Sequence, residues 1–136
     1  MLGALRDDAL RSIEGGFLLR VSLPWIRSLP LWSLVDLTVQ IDGHAEERVQ
    51  VLLGERALDP SDLAAEHGWW FVQDRLRLRG KRALSPGDHE VGVGFTLVVP
   101  YLQAGPDAPL GLPFRFDRRL TLNSGLAVPN VSRDVA

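Results

Sequence analysis

The sequence predicts an all-β fold, an antiparallel β-sandwich of about seven to eight strands with one short helix. Three observations carry that expectation. Apolar and polar residues alternate in stretch after stretch, as at Phe17, Leu19, Val21 and Leu23, which is the period of a strand with one buried face. Turn-forming pairs such as Asp42-Gly43 and Pro86-Gly87 separate these stretches at short intervals. Only one segment carries helix-start signals: Asp59 can cap, Pro60 suits the first helical position, Asp62 complements the N-terminal dipole, and Gly68 ends the run.

Taken in order, residues 1–16 hold a partial helical stripe (Leu2, Leu5, Ala9, Leu10, Ile13) stopped by Gly15 and Gly16. They read as a short helix or an irregular lead-in to a β-sandwich domain over residues 17–122, with residues 123–136 as a tail that frays or crosses onto a partner. The first strand enters a Pro- and Trp-rich stretch at residues 22–37, where Pro24 and Pro30 stiffen the chain. A stiff loop can hold Trp25, Ile26 and Trp32 outward for a partner at little entropic cost, or fold its Trp rings over one end of the core. Val35, Leu37, Val39 and Ile41 then form a second strand, paired through Asp42-Gly43 with a third that buries Val49, Val51 and Leu53.

After the helix come Trp69, Trp70 and Phe71, and then Leu76 and Leu78 alternating with Arg75, Arg77 and Arg79, an Arg row that suits a solvated edge strand. Val91, Val93, Phe95, Leu97 and Val99 make a long strand whose other face carries Gly92 and Gly94, which implies close approach or a bend there. Pro100 is expected to end it, leaving residues 101–113 as a long loop before a last strand through Phe114, Phe116, Arg118, Leu120 and Leu122.

Composition bounds the function. The chain has 136 residues, 46% of them hydrophobic, which suits one compact domain. It has no Cys, so a disulfide framework, a thiolate metal site and a Cys nucleophile are excluded. A net charge of −2 gives no reason to expect nucleic acid or an anionic membrane as partner. The apolar runs are broken by Gly and Pro, and the N-terminus with Arg6, Asp7 and Asp8 does not read as a secretory signal, so a cytoplasmic protein is the expectation.

Catalytic motifs are scarce. No GxSxG flank, phosphate loop, dinucleotide fingerprint or HExxH pair is present. His89 between Asp88 and Glu90 is the nearest approach to a metal set, but neighbouring strand residues point to opposite faces and do not converge without a bulge. No catalytic or metal-binding residue is assigned to this chain.

An ordered set of short motifs nevertheless resembles a known family. It comprises Gly16-Phe17, Leu23-Pro24-Trp25, Arg27-Ser28-Leu29-Pro30-Leu31, Asp42-Gly43, Trp70-Phe71, the run from Pro86 to Val91, Val99-Pro100-Tyr101 and Leu120-Thr121-Leu122. In order and spacing this set resembles the small β subunits of C-glycoside-deglycosylating enzymes, which are β-sandwich proteins. The resemblance implies a hetero-oligomeric lyase. Its large α subunit is expected to be an isomerase-like barrel that carries a divalent metal, usually manganese, and the acid and base groups. The implied substrate is a C-glycoside, often of a flavonoid, already oxidised at sugar carbon 3 and cleaved by β-elimination.

The resemblance makes this chain an accessory subunit without a cofactor of its own. Trp25, Ile26, Arg27 and Trp32 are the expected partner contact, with Tyr101 and Leu102 as a second patch, because aromatic residues and Arg dominate interfaces. Two other readings compete: a free-standing carbohydrate- or ligand-binding sandwich that stacks sugars on the same Trp residues, and an independent hydrolase or metal enzyme around His89.

Overall fold

A computed structural model describes residues 3–105, 108–124 and 133–134, with the side chains of 101–109 and 133–134 outside the description. The strands are β1 (Leu10–Ile13), β2 (Gly16–Ser22), β3 (Leu29–Pro30), β4 (Leu34–Ile41), β5 (His44–Ala45), β6 (Gln50–Leu53), β7 (Arg56–Leu58), β8 (Trp69–Trp70), β9 (Asp74–Gly80), β10 (Asp88–Gly105), β11 (Ala108–Thr121) and β12 (Arg133–Asp134). One sheet runs β1-β2-β9-β6-β7 with β12 added in parallel to β9, and the other runs β11-β10-β4-β5. Inward residues of both sheets, among them Phe17, Leu19, Leu78, Val39, Val93 and Leu97, form one buried core, so the sandwich expected from the alternation is present. Among the described residues no helix is long and apolar enough to cross a membrane.

Several local expectations are corrected. Of the lead-in expected as a short helix or irregular chain, the described residues show neither throughout: Leu10 to Ile13 form β1, paired with β2 across a turn with Gly15 at φ 82°. Ala4, Leu5, Ala9 and Leu10 are buried, so this segment belongs to the core. The expected helix is a 3₁₀ helix over Pro60–Ala65, with the Asp59 side chain accepting from the Ser61 amide, and a second short 3₁₀ turn covers Leu31–Ser33. The Asp42-Gly43 turn has positive φ at both residues, but it returns only β5; β6 crosses to the other sheet, where it pairs with β9 and β7. In β4 the register slips between Thr38 and Val35 opposite Gly94 and Thr96, around Asp36 at φ 56°. That bulge turns Leu34 rather than Val35 fully into the core.

The Arg row lies on a central strand, because β9 sits between β2 and β6. Its outer face is covered at one end by the N-terminal segment. Arg75 is 2% exposed and donates to Asp8 Oδ1 at 2.8 Å, while Arg20, across the same sheet face, donates to the Asp8 carbonyl and pairs with its carboxylate at 3.4 Å. On the opposite, core-facing side of β9 Gly80 is required, since a Cβ there would overlap the Phe17 ring. Pro100 does not end a strand. β10 and β11 form one long hairpin, and residues 101–105 and 108–113 belong to its distal part rather than to a free loop. At the far end Asn123 closes the sandwich edge, its amide bonded to the Leu10 carbonyl and its side chain to Ser12. The tail expected to fray or cross onto a partner lies mostly outside the described residues; Arg133 and Asp134 pair with Asp74 and Arg75.

The Asp88-His89-Glu90 set takes separate partners. Asp88 accepts from the Thr121 hydroxyl and Glu90 from Arg119. His89 is buried, with Nδ1 at 2.7 Å from Asp42 Oδ2 and Nε2 at 2.7 Å from the Ser85 carbonyl. Two acceptors on two ring nitrogens suit an imidazolium that donates from both. Burial alone disfavours that charge, but the Asp42 carboxylate and the Ser85 carbonyl, with Asp88 nearby, outweigh it and hold the His89 pKa above its ordinary 6.5. The His89 contact, followed by the Glu90 amide, lowers the Asp42 pKa. The histidine thus ties the β4–β5 turn to the start of β10.

Two outcomes follow for stability. Asp8→Ala takes the carboxylate away from a buried guanidinium, that of Arg75, and is expected to lower the unfolding free energy by about 3–5 kcal/mol in denaturant titration; an unchanged midpoint would show that this pair does not hold the segment. A raised His pKa contributes stability that is full below the unfolded value of 6.5 and lost as pH rises through the folded one. Wild-type stability is therefore expected to decline as pH rises above 6.5, and His89→Gln to flatten that slope; parallel slopes would contradict this.

Candidate partner-docking surface

The exposed apolar surface is built on a two-stranded ribbon outside the main sheets. β3 pairs with β8 so that Leu29 faces Trp70 and Pro30 faces Trp69. Leu31 N–H donates to the Gly68 carbonyl at 3.0 Å and Val72 N–H to Ser28 Oγ at 2.8 Å, which extends the tie past both ends of the ribbon. Pro24 and Pro30 restrict the incoming segment, so the ribbon is pinned on both of its chains.

Trp70 is the anchor. Its ring is buried 6.2 Å from Phe95, which in turn lies 5.9 Å from Phe114 and 6.4 Å from Phe116, and its indole N–H donates to the Asp74 carbonyl at 3.1 Å. Neighbours in an extended chain point the opposite way. Trp69 and Phe71 are accordingly 50% and 47% exposed. Ile26, at 84%, is the most exposed large apolar side chain among the described residues, and Val72 and Trp32 complete the group flanking this ribbon.

The sequence-predicted contact residues divide. Ile26 and Arg27 are exposed in the loop before β3, and Trp32 is 38% exposed on its 3₁₀ turn. Trp25 instead packs partly against the core. It lines a groove of about 570 Å³ with Leu23, Val72, Phe116 and the N-terminal residues Ala4 and Leu5. Tyr101 and Leu102 belong to strand β10 by their backbone, and their side chains lie outside the described residues. Sequence reasoning left Trp69, Phe71 and Val72 without a role; the signal was there in three consecutive aromatic residues, which cannot all face inward from an extended chain.

The outward groups of this surface are aromatic and aliphatic, with Arg27 beside them. Among the described residues no three His, Asp or Glu side chains gather where they could hold a metal ion.

Comparison with known proteins places the chain. No model of a protein family matches it. It is 37% identical over 101 residues to the 3'-dehydrocarminate deglycosidase beta subunit of a Microbacterium species, an overlap covering 71% of this chain and 76% of that protein. It is 33% identical over 105 residues to the C-glycoside deglycosidase beta subunit of Microbacterium trichothecenolyticum, covering 74% of this chain and 76% of the relative. Identity at this level across most of the length of each protein shows that the chain belongs to the family of C-glycoside deglycosidase beta subunits.

Proposed function

We propose that this chain is the non-catalytic β subunit of a two-subunit lyase acting on C-glycosides, and that it docks on a barrel-type catalytic α subunit through the ribbon around Ile26, Arg27, Trp32, Trp69 and Phe71. The observation that carries the docking role is the cluster of outward apolar side chains on a ribbon fixed at both ends. A rigid surface of that kind loses little entropy when a partner covers it, so its burial adds to affinity instead of being spent on ordering. The groove beside Trp25 would extend the contact and help wall the substrate pocket.

In the proposed reaction a base on the partner removes the hydrogen at carbon 2 of a 3-oxo C-glycoside. The electron pair moves into an enolate on the carbon-3 oxygen; its collapse forms a carbon-1–carbon-2 double bond as the bond to the aglycone breaks, and the aglycone carbon takes up a proton. A divalent metal on the partner, manganese by the family resemblance, would supply charge stabilisation for the enolate. This chain's part is to hold the partner in its active arrangement. A free-standing sugar-binding role would leave the same rings open to solvent in the working state.

Co-expression with a barrel-type isomerase homologue tests the proposal. The expected result is a complex by light scattering whose release of aglycone from a 3-oxo C-glycoside requires both chains. Ile26→Asp is expected to weaken the complex by about 30-fold or more, as for a central interface anchor, while leaving unfolding within about 0.5 kcal/mol of wild type because the side chain is exposed. A monomer that binds sugar unaided and leaves the barrel's activity unchanged would overturn it.

A further inference from the structure

We infer that two copies of this chain pair edge to edge through β11, antiparallel about a two-fold axis at Phe116. Among the described residues β11 ends its sheet with no strand on its outer side. Its register with β10 runs without a shift from Leu110 to Thr121, so the phase of its backbone groups is constant there. Proline in a sheet keeps its nitrogen toward solvent, and Pro113 occupies an odd position within that unshifted run. The N–H and C=O groups of Arg115 and Asp117 therefore face the open edge.

Residues directly opposite in an antiparallel pair share a face, so a two-fold axis must pass through a residue. At Arg115 or Asp117 the axis would set like charges against each other, and at Arg118 it would do the same on the inner face. At Phe114 it would use Pro113, which has no N–H to donate. At Phe116, Arg115 of each copy lies opposite Asp117 of the other, using the outward backbone groups of both. Each chain already holds Arg115 and Asp117 together at 2.9 Å, lying over Gly92 where a Cβ would collide with them, so the second copy completes a ring of four alternating charges. On the inner face Phe116 meets Phe116 and Phe114 meets Arg118 of the other copy, both favourable cross-strand pairs. Phe114 and Phe116 are only partly buried, and the groove lined by Phe116 and Trp25 opens beside this edge, so a second copy also covers apolar surface the chain leaves open.

This pairing is independent of the Ile26 surface, and the test separates the two. In sedimentation equilibrium the full chain is expected to be dimeric. Arg115→Asp and Asp117→Arg are each expected to raise the dimer Kd by about tenfold or more, and the double exchange to return it to within about threefold of wild type. Asp117→Pro, which removes an outward N–H, is expected to give a monomer with an unchanged circular dichroism spectrum. A wild-type monomer at every concentration would overturn the inference. So would a dimer that survives Arg115→Asp and Asp117→Pro, or one dissolved by Ile26→Asp alone.

Discussion

The exposed end of this sandwich depends on where Trp70 goes. Burying one indole removes about 200 Å² from water, a gain on the order of 5 kcal/mol. Phe95 and the Asp74 carbonyl supply the ring contact and the acceptor that make the burial complete. Strand geometry then leaves no choice for its neighbours: Trp69 and Phe71 must face out, and the cost of leaving each about half exposed is smaller than what Trp70 contributes. The same local rule therefore both closes the core and creates the surface through which we propose the partner is held.

Elsewhere the polar groups serve the fold. Asp8 ties the N-terminal segment to Arg20 and Arg75 over the middle of the larger sheet, and Asp42 with His89 ties a hairpin turn to β10. Arg115 and Asp117 cover the glycine-lined outer face of the smaller sheet. The contrast is informative. These charged side chains are matched within the chain, whereas Ile26, Trp69 and Phe71 around β3 and β8 stay exposed, which suits the docking face proposed for them.

Much of the architecture was legible in the sequence because alternation and turn chemistry are local. The β2, β6 and β10 faces, the Asp42-Gly43 turn and the Asp59 cap follow from residues within a few positions of each other. Features set by distant partners were not. Residues 10–13 carry a helical stripe yet pair with β2, because completing a sheet outweighs a weak propensity. The Arg row reads as an edge until β9 is placed between β2 and β6, and the stretch after Pro100 reads as a loop until β11 is paired across from it. For the docking surface, the Pro and Trp residues of the loop drew attention to Ile26, Arg27 and Trp32, but Trp25 turns onto the core and the β8 contribution came only with the strand pairing.

If the ribbon end is the face buried against the catalytic partner, its amides must slow their exchange when the two proteins meet. Hydrogen–deuterium exchange on this chain alone and in the co-expressed complex tests this most directly. Added protection is predicted at amides of residues 24–32 and 69–72 in the complex, with the outer face of β9 and β6 unchanged. Protection confined to β9, β6 or β7, with residues 24–32 and 69–72 exchanging as they do in the free chain, would contradict it.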